Sequence, residues 1–111
     1  MTNKPLVSII MNCFNGAKYL SYALESIKKQ TYENWELIFW DNCSTDNSSS
    51  IFKKYSDTRF KYYLAKNHTG ISKAKNFAIE KSNGDLIGFL DVDDMWEANK
   101  LEVQAPLFLD Q

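Results

Sequence analysis

Apolar and polar positions along this chain switch between two periods. Leu6–Met11 (LVSIIM) is a short apolar, β-branched run, the pattern of a strand buried on both faces. It stops at the turn-forming cluster Asn12–Gly16. Beyond it Leu20, Ala23, Leu24 and Ile27 recur at helical spacing, one face of a helix running towards Gln30. Trp35–Trp40 (WELIFW) predicts a second strand. The polar loop Asp41–Asn47 offers Ser44, Thr45 and Asp46 as caps for a short helix with Ile51, Phe52 and Tyr55 turned inward. Phe60–Leu64 (FKYYL) is a third strand, placed towards a sheet edge by Lys61. The loop Asn67–Gly70 leads into a helix over Ile71–Lys81, with Ile71, Ala74 and Ala78 on one face. Asn83-Gly84 closes that helix, with Gly84 as the expected left-handed cap. Leu86–Leu90 (LIGFL) is a fourth strand, and Glu97–Phe108 reads as a last helix kinked or ended near Pro106.

The order β-α-β-α-β-α-β-α predicts an α/β fold. Its sheet is mostly parallel, with right-handed crossovers and flanking helices. No repeat, low-complexity stretch or linker divides residues 1–111, so a single unit is expected. Ligands of such sheets bind at the carboxyl ends of the strands. The segments expected there are Asn12–Asn15, Asp41–Asp46, Asn67–Gly70 and Asp91–Asp94, three of them dense in Asp, Asn and Ser.

Composition narrows the classes. Hydrophobic residues are 44% and charged residues 24% of 111, ordinary globular usage that excludes disordered, collagenous and coiled-coil chains. No apolar run approaches the ~20 residues that span a bilayer, and Leu6–Met11 is too short for a signal-peptide core. A net charge of −1 gives no electrostatic footprint for nucleic acid. Two cysteines, Cys13 and Cys43, make no disulfide framework, so a cytoplasmic protein with reduced thiols is expected. They follow neighbouring strands at equivalent places and are expected close together.

Asp91-Val92-Asp93-Asp94 carries the most chemistry. Three carboxylates in four residues repel each other, and a hard divalent cation, Mn²⁺ or Mg²⁺, would relieve that. Protein sites for Mg²⁺ use one or two carboxylates and leave other positions to water and phosphate oxygens, which one D-x-D pair supplies. The plain alternative is a solvated turn in which Asp94 caps the next helix. The charge layout fits a cation beside a phosphate. Lys61–Lys81 holds five lysines and one acid, whereas Asp85–Glu102 holds six acids and one lysine. Most of these lysines are expected to solvate exposed faces. Lys75 is the exception, on the Gly70-led helix near the strand ends. Asp41 at the end of the second strand could accept from an imide N–H or a ribose hydroxyl, or could only shape the turn. Phe14 and Asn15 could flank a base, or only pack and turn. His68, the one histidine, reads as an exposed loop residue. There is no G-x-G-x-x-G, no G-x-x-x-x-G-K-[ST] and no G-x-S-x-G, which argues against dinucleotide-binding dehydrogenases, P-loop NTPases and serine hydrolases.

Together, Leu6–Asn15 (LVSIIMNCFN), Trp35–Asp46 (WELIFWDNCSTD), Asn67–Asn76 (NHTGISKAKN) and Gly84–Trp96 (GDLIGFLDVDDMW) resemble the four signatures of family 2 glycosyltransferases, of GT-A fold. The resemblance covers nearly the whole chain. It implies a nucleotide-diphosphate-sugar donor, expected to be a UDP-sugar, and a Mn²⁺ or Mg²⁺ cofactor. It also implies transfer to an acceptor hydroxyl with inversion. Carried over by position, Asp41 corresponds to the base-recognising aspartate, Phe14 with Asn15 to the nucleobase wall, Lys75 to a nucleotide-facing arginine, Asp91 to the ribose and metal shell, and Asp93 to the direct metal ligand. Asn12 stands for the usual proline, Asn42-Cys43 for Asp-Gly, and Trp40 for a small aliphatic residue. Lys75 lacks the bidentate fork of arginine.

In the family the catalytic base and acceptor site lie well beyond the D-x-D segment. No catalytic residue is therefore expected within this chain, and the base is expected past Gln111. The acceptor is an unknown glycan or a lipid-linked one. The full-length protein could sit peripherally at the inner face of the membrane. An exposed sheet edge or apolar face could be covered in a homodimer. The alternative function is a non-catalytic α/β nucleotide- or Mg-binding interaction module. A receiver-like domain fits poorly, because its acidic pair follows the first strand. A nucleotidyltransferase fits poorly too, because Asn15-Gly16-Ala17-Lys18 is no glycine-rich, arginine-bearing loop.

Overall fold

The computed structural model describes residues 4–109. Four strands, β1 (Val7–Cys13), β2 (Trp35–Asp41), β3 (Phe60–Leu64) and β4 (Leu86–Phe89), alternate with α1 (Ala17–Lys28), α2 (Ser48–Lys53), α3 (Ile71–Glu80) and α4 (Lys100–Leu109). Every strand pairing is parallel and the order is β3-β2-β1-β4. The chain steps outward from β1 to β2 to β3, then returns to lay β4 on the far side of β1. The order therefore reverses between β1 and β4, where sheets of this kind open a crevice. Hydropathy explains the placement. β2 is buried along its whole length and β1 at all positions but Asn12, whereas β3 and β4 are partly exposed edges.

Alternation divides the core into two faces. Val7, Ile9, Met11 and Cys13 with Trp35, Leu37 and Phe39 meet α1, α2 and α4 through Leu20, Leu24, Phe52 and Leu101. On the other face Ile10, Ile38 and Trp40 meet the loop residue Ala65 and, through Ala74 and Ala78, α3. Its small side chains let α3 lie close to the sheet. β4 is left outside that cover, so Ile87 and Phe89 stay half-exposed.

Some expectations change. Ile71 does not join Ala74 and Ala78 in the core and is 65% exposed at the carboxyl end of the sheet. Gly84 is not a left-handed cap: no glycine has positive φ among the described residues, and α3 ends on Lys81 in right-handed geometry. Gly84 is required for proximity instead, since a Cβ there would stand 2.5 Å from Ser8 Oγ and 2.7 Å from the Leu6 carbonyl. The last helix starts at Lys100, not Glu97, and continues through Pro106. β1 runs to Cys13 because ladder pairs Asn12↔Trp40 and Cys13↔Asp41 extend it past its apolar run. Cys13 and Cys43 are both free thiols but not neighbours in one cluster. Cys13 is buried with α1, while Cys43, at φ 66, packs with the α3 face. No helix among the described residues is long and apolar enough to cross a membrane.

Candidate functional site

The carboxyl ends of the strands are joined by side-chain-to-backbone hydrogen bonds. Asn15 adopts φ 54, a left-handed conformation that asparagine tolerates. Its Oδ1 accepts the Thr45 N–H at 2.7 Å and the Asp46 N–H at 3.1 Å, and its own N–H donates to Ser44 Oγ at 3.0 Å. Asp46 accepts the Ala17 N–H in the first turn of α1 at 3.1 Å, and the Ser48 N–H and hydroxyl at 3.0 and 2.6 Å. Burial alone would raise the Asp46 carboxyl, but the Ser48 and Ala17 donors outweigh it and hold it below its ordinary range.

Asn42 fixes the third loop. It is buried, its Nδ2 donates to the Thr69 carbonyl at 2.8 Å, and its Oδ1 accepts the Thr69 N–H at 3.0 Å. The Asn42 carbonyl also lies 3.0 Å from His68 Nδ1. The fourth segment, Asp91–Asp94, comes close because residue 16 is glycine. A Cβ there would stand 2.6 Å from a Val92 methyl.

These segments enclose a cleft of about 660 Å³ lined by Phe14, Asn15, His68, Lys75, Asp91 and Asp93, together with Asn12, Lys18, Asn42 and Gly70. Its size lies within the usual range of small-molecule sites. Phe14 is 47% exposed and its ring centroid is 4.4 Å from that of His68, tilted by 56°. The pair forms an apolar wall. Lys75 Nζ stands 5.3 Å from the Phe89 ring centroid, a cation–π contact that holds the ammonium over β4. Opposite charge comes from Asp91 and Asp93, both exposed. The hydrogen bonds among the described residues leave both carboxylates without a donor, whereas Asp94 accepts the Met95 N–H at 2.8 Å and acts as a turn residue.

Asp91 and Asp93 fit a divalent cation in one specific way. Among the described residues no group of three His, Cys, Asp or Glu side chains converges on a metal position. Two unspent carboxylates do suit a Mn²⁺ or Mg²⁺ whose other oxygens come from water and a bound phosphate.

Five of the six residues singled out from sequence therefore line one cleft: Phe14, Asn15, Lys75, Asp91 and Asp93. Asp41 does not. Its carboxylate is 2% exposed, accepts the Ser44 N–H at 2.9 Å and is 2.5 Å from the Tyr62 hydroxyl. Burial and this carboxylate push the Tyr62 hydroxyl up to about 12. The cause is alternation: Asp41 shares the face of Leu37 and Phe39, and the next residue, Asn42, reaches the cleft. Asn15 lines the cleft, yet its carbonyl oxygen is spent on the loop. Sequence reasoning missed Asn12 and Asn42 as cleft residues. It placed His68 correctly as exposed without its partner Phe14. Its place just past the third strand was the available signal.

A family model described as "Glycosyl transferase family 2" matches residues 8–111. The Escherichia coli UDP-Glc:alpha-D-GlcNAc-diphosphoundecaprenol beta-1,3-glucosyltransferase WfgD is 42% identical over 94% of this chain and 41% of its own length. A crystal structure of S. aureus TarS in complex with UDP-GlcNAc superposes with a TM-score of 0.87 at 30% identity, over 94% of this chain and 31% of that one. The mannosyltransferase PcManGT from Pyrobaculum calidifontis, solved with GDP-Man and Mn²⁺, shares the fold at a TM-score of 0.86 and 24% identity, over 99% of this chain and 34% of that one. The chain spans less than half the length of the curated relatives it matches.

Proposed function

The chain belongs to glycosyl transferase family 2, and from that premise we propose that its cleft binds the nucleotide diphosphate of a sugar donor, with Mn²⁺ or Mg²⁺ held by Asp93 and Asp91. The observation that carries this reading is the meeting of two undonated carboxylates, the Lys75 ammonium and an exposed aromatic pair in a single cleft. The Phe14–His68 wall receives the base, and Asn12 lies where polar base edges would reach. Asn12 Oδ1 is buried and has no partner among the described residues, so a bound donor group would satisfy it. Asn42 lines the cleft where Asp41 does not, and its amide, bonded on both atoms to the Thr69 backbone, holds the Asn67–Gly70 loop beside the nucleotide. Lys75 offsets diphosphate charge. TarS was solved with UDP and UDP-GlcNAc, which supports a UDP-sugar as donor.

In the whole protein the reaction is displacement at the anomeric carbon with inversion. The acceptor hydroxyl gives its proton to a general base as its oxygen forms the new bond, the glycosyl–phosphate bond breaks with its electron pair, and the nucleoside diphosphate leaves as the anion. A bound divalent cation would neutralise charge on that leaving diphosphate. Lys75 adds positive charge on the same side. We assign no general base to the described residues. The lipid-linked glycan in the name of the E. coli relative makes a diphospholipid-linked saccharide the acceptor class to test first.

Titration calorimetry with UDP and Mn²⁺ tests the donor site. Wild type is expected to bind UDP in a Mn²⁺-dependent way, and Asp93→Ala to lose at least tenfold. Equal affinity in wild type and Asp93→Ala, or UDP affinity that ignores Mn²⁺, would sink the metal assignment.

A further inference from the structure

The face of the sheet covered by α3 carries a second concavity beside the donor cleft. It is a groove of about 560 Å³ between β3 and α3. Tyr63 and Phe77, partly buried, make its floor together with the buried Trp40, on which both stack at ring-centroid distances of 6.5 and 5.5 Å. Lys66, Lys73 and Lys81 line it, all three exposed, against one acid, Glu80. Lys81 Nζ stands 5.6 Å from the Tyr63 ring centroid. None of the three lysines takes part in a salt bridge among the described residues.

The spacing of these cations limits the ligand. Lys73 and Lys81 are eight residues apart along α3 and its cap, about 12 Å at the rise of a helix. Three lysines spread along the groove offer more positive charge than one phosphate or carboxylate neutralises, and match an extended ligand with recurring negative charge. An aromatic floor favours a chain that also presents apolar ring faces. The groove adjoins the donor cleft, because Thr69 lines both and its backbone is held by Asn42.

We propose that this groove is a binding site for an acidic saccharide chain, with sugar rings over Tyr63 and Phe77 and anionic groups on Lys66, Lys73 and Lys81. The choice of a saccharide over other extended polyanions rests on the glycosyltransferase reading of the adjoining cleft. The site itself rests on the groove, and the two can fail separately.

Tryptophan fluorescence titration with a hyaluronan hexasaccharide, beside neutral maltohexaose and a hexaglutamate peptide, tests it. Hyaluronan is expected to bind, weakening at least tenfold in Lys66→Glu/Lys73→Glu and unchanged in Asp93→Ala. Lys81→Glu provides a second charge reversal at the far end, expected to weaken binding severalfold. UDP–Mn²⁺ affinity, measured alongside, is expected to survive Lys66→Glu/Lys73→Glu, which shows that the variant is folded. No hyaluronan binding, equal binding of maltohexaose, equal or tighter binding of hexaglutamate, or indifference to charge reversal would overturn the proposal. Loss of UDP binding in wild type with hyaluronan binding intact would overturn the donor-cleft reading and leave the groove.

Discussion

At the amino end of the sheet Glu36 is buried on β2 and surrounded by donors. Its carboxylate accepts the Ser8 hydroxyl at 2.6 Å, the Asn83 N–H at 2.6 Å and Lys61 Nζ at 2.7 Å. At the carboxyl end Asp91 and Asp93 stand exposed in the cleft and have no hydrogen-bond donor among the described residues. Both ends belong to one parallel sheet, so the contrast isolates what each set of charges is for. Glu36 ties β1, β2, β3 and the α3–β4 turn together and its charge is consumed by the fold. The aspartates contribute repulsion to the fold and keep their lone pairs available for a ligand. A charge that the fold satisfies reports on stability, and one that it leaves unsatisfied is a candidate for binding.

The comparison breaks most visibly at Glu36. Removing it leaves the buried Ser8 hydroxyl and the Asn83 N–H without their acceptor while Lys61 turns to water, so Glu36→Ala is expected to cost about 2–3 kcal/mol. Chemical denaturation measures this, and a loss under 1 kcal/mol would mean that the network is incidental. Acid probes the same carboxylate on a similar scale. Burial alone would raise the Glu36 carboxyl, but the Lys61, Ser8 and Asn83 donors outweigh it and lower it from 4.5 to about 2. A carboxyl lowered by folding contributes stability that is full above its unfolded value and is lost as pH falls from about 4.5 towards 2. The loss is roughly 3 kcal/mol. Urea midpoints taken across that window should fall in wild type and fall less in Glu36→Gln.

At the other end the effects reverse. Asp93→Ala is expected to leave stability within about 0.5 kcal/mol of wild type, even as Mn²⁺-dependent UDP binding drops at least tenfold. A destabilised Asp93→Ala would make that carboxylate a structural group like Glu36. Phe14→Ala removes one half of the exposed aromatic wall and should weaken UDP by about tenfold, the scale of one base-stacking contact. The smallest expected effect is at Gly16, where alanine would push against Val92 and shift the Asp91–Asp94 turn. Severalfold weaker UDP binding with a near-native thermal midpoint is the expected pattern.

What could be read from sequence follows the same division. Buried strands announce themselves as apolar runs, and the edge position of β3 was legible in Lys61. The rule that ligands sit at strand carboxyl ends brought Phe14, Lys75 and Asp93 to one place. Register was not legible. Whether Asp41 or Asn42 meets the cleft depends on which of two successive residues points to which face, and the ladder decides that (Cys13 opposite Asp41). Two left-handed residues, Asn15 and Cys43, re-aim their loops in ways that hydropathy does not encode. They hold the Asn15 oxygen in the loop and turn Cys43 towards the α3 face. Gly84 was noticed as a glycine but for the wrong reason, because close approach to Ser8 is a tertiary fact. The Glu36 network escaped sequence reading altogether. A glutamate in WELIFW looks like the polar side of a strand until Ser8, Lys61 and Asn83 are brought to it.

The central claim is that ligand binding belongs to the carboxyl end of the sheet and stability to the amino end. The most direct test is an amide chemical-shift map of the protein titrated with UDP and Mg²⁺. The account predicts shifts at Phe14, His68, Lys75 and Asp91–Asp93, with Ser8, Glu36 and Asn83 unmoved. Shifts centred on Ser8, Glu36 and Asn83, or none at all at saturating UDP and Mg²⁺, would contradict it.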